Sequence, residues 1–180
     1  MIAAIVYNSK TGSCKRYAEE LSRALHLPCY PVKKYPTRSD GELIYVGWVM
    51  AGSVPGYARL AKKARVAAVC AVGMAPVTEE SVRSGREKNQ IPDDVAFFCL
   101  QGGFDIHKLP LPMRLIMKRI TRQIAGKLAA KKAEAPLSAQ EEATYRMAAT
   151  GRGEPASWDV SEIVAWVLKR YESEGVLRRP

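Results

Sequence analysis

The sequence predicts an α/β fold in which one parallel sheet lies between two layers of helices. Three observations predict it. Five short apolar runs, each of strand length, are separated by segments of helical spacing. The runs are almost continuously apolar instead of alternating, as strands buried on both faces are. The first run passes through a loop of small hydroxyl residues straight into a helix, the unit that opens a doubly wound sheet.

Taken in order, Ile2-Ala3-Ala4-Ile5-Val6-Tyr7 is the first strand. Asn8-Ser9-Lys10-Thr11-Gly12-Ser13-Cys14 is the loop, and a helix follows with Tyr17, Ala18, Leu21, Ala24 and Leu25 on one face. Residues 28–32 make a short second strand flanked by prolines, and residues 33–42 a polar, basic surface loop. Residues 43–48 form a third strand. Pro55-Gly56 opens a helix through about residue 64, with Tyr57, Leu60, Ala61 and Ala64 inward. Residues 66–72 are the fourth strand, ending at Gly73. A polar helix covers about 78–88, and residues 95–100 are the fifth strand, ending at Gln101-Gly102-Gly103.

The chain then exceeds what such a sheet requires, giving an insert over about 107–156. Residues 113–132 read as one long helix, with Leu115, Ile116, Ile120, Ile124 and Leu128 approximating an apolar stripe. Lys108, Arg114, Lys118, Arg119, Arg122, Lys127, Lys131 and Lys132 make this stretch basic, and no acidic residue falls between Ile106 and Ala133. A short helix is expected around 138–149, with breaks at Gly151, Gly153 and Pro155. Asp159-x-x-Glu162 starts a final covering helix over about 159–173, with Val160, Ile163, Val164, Val167, Leu168 and Tyr171 on its inner face.

A length of 180 residues suits a single domain spanning the whole chain. No apolar run reaches membrane-spanning length, and no basic region precedes the first one, so a cytoplasmic location is expected. The four cysteines lie far apart and only two histidines are present, which disfavours a zinc or dithiol site. The net charge of +10 points to an acidic partner, an anionic membrane surface or nucleic acid.

The loop carries the first chemical signal. Main-chain N–H groups and the positive end of a helix dipole converge there, which suits a phosphate. Ser9-x-Thr11-Gly12-x-Cys14 resembles the flavodoxin phosphate loop, Ser/Thr-x-Thr-Gly-x-Thr, except that Cys14 stands where Thr is usual. A Walker loop or a dinucleotide fingerprint would need glycines this chain lacks. The resemblance implies a flavodoxin-like three-layer sandwich with strand order 2-1-3-4-5 and one bound FMN. Ser9, Lys10, Thr11, Gly12, Ser13 and Cys14 would hold its phosphate. Trp48, Val49 and Met50, in the loop after the third strand, would flank the ring, and Gly73, Met74 and Gly102 would approach from other sides. The loop after the fourth strand lacks the acidic and aromatic residues of many flavodoxins, and this chain is basic where soluble carrier flavodoxins are acidic.

Gln101-Gly102-Gly103-Phe104-Asp105-Ile106-His107-Lys108-Leu109, followed by the basic, Met-containing helix, resembles the flavodoxin-type protoporphyrinogen oxidase group. Those FMN proteins pass electrons from porphyrinogen to a membrane quinone. The resemblance implies FMN-mediated electron transfer, either as a carrier for a redox partner protein or as an oxidoreductase with a quinone acceptor. The latter would sit at the inner face of the membrane. No acid–base constellation stands out, and His107 is the lone candidate proton donor. The basic helix can lie on an anionic membrane, dock an acidic redox partner, or form a solvated face. Nucleic acid is not expected, because no interleaved aromatic platform accompanies the charge. A different class remains open, a flavin-free binding module on the same fold. A phosphoacceptor role is disfavoured, since Tyr7-Asn8 and Gly47-Trp48 occupy the strand ends where acidic residues would be required.

Overall fold

The computed structural model describes residues 1–36 and 41–173. Part of the surface loop expected over 33–42, residues 37–40, therefore lies outside the described residues. The sheet consists of β1 (Ile2–Asn8), β2 (Cys29–Pro31), β3 (Glu42–Trp48), β4 (Arg65–Gly73) and β5 (Ala96–Gln101). All neighbours are parallel, in the order β2-β1-β3-β4-β5, which is the flavodoxin-like arrangement.

The alternation of side chains along the strands builds the two outer layers. Ile5 pairs with Ile44 and Ile44 with Ala68. These residues face one side, packed with Tyr17 and Leu21 of α1 (Ser13–Leu25) and Ile163 and Val167 of α6 (Ser161–Ser173). One residue further on, Val6 pairs with Tyr45, Tyr45 with Val69, and Val69 with Phe97. That row faces the other side, against Tyr57 and Leu60 of α2 (Tyr57–Ala61) and Val82 of α3 (Glu79–Lys88). Each of these large side chains contributes about 1.5–3 kcal/mol by leaving water.

Helix α2 is shorter than expected, and Ala61 is exposed. On α1, Ala24 is also exposed, and on α6 Leu168 is 45% exposed while Trp166 packs inward against Phe98. The α6 start is held by the Asp159 carboxylate, which accepts from the Ser161 N–H at 2.8 Å.

The insert folds as a helical hairpin, α4 (Leu111–Glu134) and α5 (Ala139–Thr150). A reciprocal cap starts α5: the Ser138 hydroxyl accepts from the Glu141 N–H, and the Glu141 carboxylate accepts from the Ser138 N–H. Lys132 pairs with Glu142 at 2.9 Å across the hairpin. A short antiparallel ribbon of β6 (Phe104–Asp105) and β7 (Arg152–Gly153), absent from the sequence reading, closes the base of the insert. Two-residue strands carry no periodicity from which they could have been found.

The apolar stripe expected along α4 is only partly turned inward. Leu115, Ile116 and Ile120 are 68, 62 and 39% exposed. The inward positions are Met113, Met117 and Thr121, with Ile124 and Leu128 half-buried. Met113 and Met117 join Phe104, Ile106, Leu109, Ala143 and Met147 in a third core. The unbranched thioether side chains fill this irregular space, leaving the branched aliphatics on the outer face. Among the described residues, no helix is long and apolar enough to cross a membrane.

Candidate functional site

Strand β1 has β2 on one side and β3 on the other, so successive crossovers run in opposite directions from it. The crevice at its carboxyl end is where doubly wound folds take ligands. The loop there is shaped by Gly12, whose φ of 111° lies in the left-handed region. A Cβ on Gly12 would meet nothing within 4 Å, so the constraint is its dihedral angle and the space beside it is open. The Ser9 hydroxyl accepts from the Gly12 N–H at 3.1 Å. Helix α1 then begins with no side-chain cap and no acid in its first turn. Its first amides, on Ser13, Cys14 and Lys15, have no intrahelical acceptor, since the first such bond is Arg16 N–H to Gly12 C=O at 3.0 Å.

The side chains around those amides are already committed. The Ser13 hydroxyl donates to Gly103 C=O at 2.9 Å. Cys14 is 2% exposed and packs in the core with Tyr17 and Val72. Burial pushes its thiol up to about 12, so it stays protonated. Only the main-chain N–H of Cys14 can serve an anion. Gly102 is required by close approach: a Cβ there would lie 2.6 Å from Val72 Cγ1 and 3.2 Å from Ser13 Cβ.

Thr11, Gly12 and Ser13 line a cleft of about 350 Å³. Its other walls include Arg16, Lys108 and Arg152, residues the motif does not contain. Lys108 reaches within 3.4 Å of the Thr11 carbonyl. The Arg16 guanidinium lies 4.2 Å from the Trp158 ring centroid and pairs with Glu154 at 3.3 Å. Sequence reasoning counted Lys108 only as one charge in a basic run. Arg152 carried no signal until the β6–β7 ribbon brought it beside the loop.

The residues expected around a flavin ring are more dispersed. Trp48 is half-buried against the first core, with the Lys10 ammonium 5.7 Å from its ring centroid. Its indole Nε1 is buried and has no hydrogen-bond partner among the described residues. Val49 and Gly73 line a separate apolar cleft of about 310 Å³ under α3. Met50 and Ser53 close a tight turn by mutual N–H···O=C bonds, and Met50 is 48% exposed. Met74 packs against the insert core, and its carbonyl accepts from the Thr144 hydroxyl at 3.0 Å. His107 is exposed on the turn after β6, where its main-chain N–H bonds Asp105 Oδ1 at 3.0 Å.

An FMN fits these residues at its phosphate end, where an uncapped helix start, open space at Gly12 and nearby cations coincide. At the ring end, Trp48 offers an aromatic edge, while Val49 and Gly73 face the separate cleft under α3. No protein-family model matches the chain, and no curated protein matches it.

Proposed function

We propose that this chain is an FMN-binding flavodoxin-like redox protein that mediates electron transfer. The observation that carries this is the uncapped, acid-free start of α1 behind the left-handed Gly12, at the sheet's switch point. A bound flavin would supply reversible uptake of electrons. In this reading, the chain's own residues bind and orient it. The amides of Ser13, Cys14 and Lys15 hold the phosphate, Trp48 gives the ring an aromatic side, and Lys10 stays near the ring edge.

A quinone-reducing role at an anionic membrane surface is the second reading, favoured by α4. Leu111, Leu115 and Ile116 are each more than 60% exposed, and Lys118, Arg119 and Arg122 lie on the same helix. The apolar strip is interleaved with cations, since Lys118 and Arg122 fall on the same side of the helix as Leu111 and Leu115, a surface that can meet both the charged headgroups and the outer acyl region of an anionic membrane. This would make the protein peripheral to the inner face of the membrane, with a quinone as acceptor. A soluble acidic redox protein is the other partner the basic face would attract.

The test is the visible absorbance of the protein purified without added cofactor, then after addition of FMN and gel filtration. A flavin spectrum retained at about one per chain is the expected result. A colourless protein that cannot retain FMN would leave a flavin-free binding module on this fold.

A further inference from the structure

We propose that the cleft beside the phosphate loop is a built anion site for a phosphate monoester, with Lys108 and Arg152 as its counter-charges. The inference deepens the flavin reading by adding two binding residues from outside the motif. It rests on that reading only for the identity of the ester.

The walls hold three cations and two acids. Arg16 and Glu154 satisfy one another at 3.3 Å, and Asp105 Oδ1 accepts from the His107 N–H. Among the described residues, Lys108 and Arg152 have no carboxylate within salt-bridge distance. Lys108 instead leans on a neutral carbonyl, that of Thr11, 3.4 Å away in the loop itself. An ammonium that spends its charge on a peptide carbonyl has much to gain from an anion placed beside it. Both side chains are exposed and come from different parts of the insert, the turn after β6 and strand β7. Register fixes their meeting: Asp105 pairs with Arg152 across the ribbon, and Lys108 follows within the same turn. A volume of about 350 Å³ leaves room for a tetrahedral anion and the first carbons of its ester.

The site therefore has two parts of different origin. The loop amides supply directional donors, while the insert supplies the two cations, in a cleft whose three cations outnumber its two acids. A monoester dianion would be recognised by both, and a neutral analogue by neither.

The experiment compares wild type, the Lys108→Ala/Arg152→Ala double variant and the charge-keeping Lys108→Arg/Arg152→Lys variant. Each is titrated with FMN and with riboflavin, and its melting temperature is followed in inorganic phosphate against sodium chloride of equal ionic strength. The expected result is FMN affinity about tenfold weaker in the alanine variant, riboflavin affinity unchanged, and the charge-keeping variant near wild type. Phosphate should raise the melting temperature of wild type and not of the alanine variant. FMN affinity unchanged in a folded alanine variant would overturn the inference and leave the flavin reading standing. Failure of both flavins to bind, with phosphate stabilisation still dependent on Lys108 and Arg152, would overturn the flavin reading and leave the anion site. Failure of all three ligands would overturn both.

Discussion

The side-chain amide of Gln101, at the end of β5, donates to the Thr144 hydroxyl of α5 at 2.9 Å. The same amide also bonds Gln140 C=O at 2.8 Å, while Gln101 Oε1 accepts from the Ala156 N–H at 3.1 Å. The Gln101 carbonyl in turn accepts from the Tyr17 hydroxyl of α1 at 2.7 Å. One buried residue thus fastens the insert, the segment before α6 and the first helix to the carboxyl end of the sheet. The loops of the candidate site share that end, so the insert and the site are mechanically coupled.

Replacing Thr144 by Val keeps the shape and removes the hydroxyl. The Gln101 amide then loses an acceptor and the Met74 carbonyl a donor, both at buried or half-buried positions. A loss of about 1–3 kcal/mol is expected in urea unfolding. Limited proteolysis should quicken in the 151–158 segment. A variant as stable and as resistant as wild type would show that the Gln101 junction does not hold the insert.

Cys14→Thr restores the flavodoxin spelling of the phosphate loop, yet little gain in flavin binding is expected. The side chain at this position points into the core and not toward the crevice. A hydroxyl buried there costs about 1–3 kcal/mol unless it finds an acceptor. The variant should melt at a lower temperature with FMN affinity unchanged within about twofold. A tenfold gain in affinity would mean that the side chain reaches the phosphate after all.

The contrast between Cys14 and Lys108 shows what the sequence could convey. The strands were legible because parallel strands buried on both faces must be continuously apolar, and Leu43 to Val46 or Val69 to Val72 allow no other reading. Gly12 was legible because a left-handed turn before a helix selects glycine. Residue type at position 14 could not reveal that a helix-facing side chain turns inward. The approach of Lys108 and Arg152 to Thr11 depends on a ribbon pairing that joins residues far apart in the chain, and no local pattern encodes that. On α4, two apolar stripes coexist, and choosing between them required knowing where α5 lies. The Ile/Leu stripe matched the period as well as the Met stripe that is buried.

Alkali should destabilise the fold in a defined window. Burial raises the Cys14 thiol from 9.0 to about 12, and burial also raises the Tyr17 and Tyr45 hydroxyls from 10.0 to about 12. Burial pushes the Cys70 thiol up as well. Below about pH 8 these groups are neutral in both states, and their contribution is fully present. Between about pH 9 and 12 the unfolded chain releases protons that the folded chain retains, so stability falls as pH rises. The slope is up to about 1.4 kcal/mol per pH unit for each such group. Urea midpoints should therefore drop from pH 8 to pH 10.5, and less steeply in Cys70→Ala. Equal midpoints at the two pH values would contradict the burial of these groups.

Helix α4 gives the most direct test of membrane contact. Leu115 and Ile116 are exposed at 68 and 62%, so changing both to Glu should leave the fold intact. The change removes the apolar strip and sets two negative charges among the lysines and arginines. Each basic residue near an anionic surface contributes about 1 kcal/mol, and burial of the two aliphatic side chains adds a comparable amount apiece. Wild type should co-sediment with phosphatidylglycerol-containing vesicles and not with phosphatidylcholine vesicles. The Leu115→Glu/Ile116→Glu variant should lose this binding at least tenfold, with an unchanged melting temperature. If the variant sediments as wild type does, the strip is not inserted and only the charged face acts. If wild type binds neither vesicle, the basic face serves a soluble acidic partner, and the same substitutions should then leave that partner's electron transfer little altered.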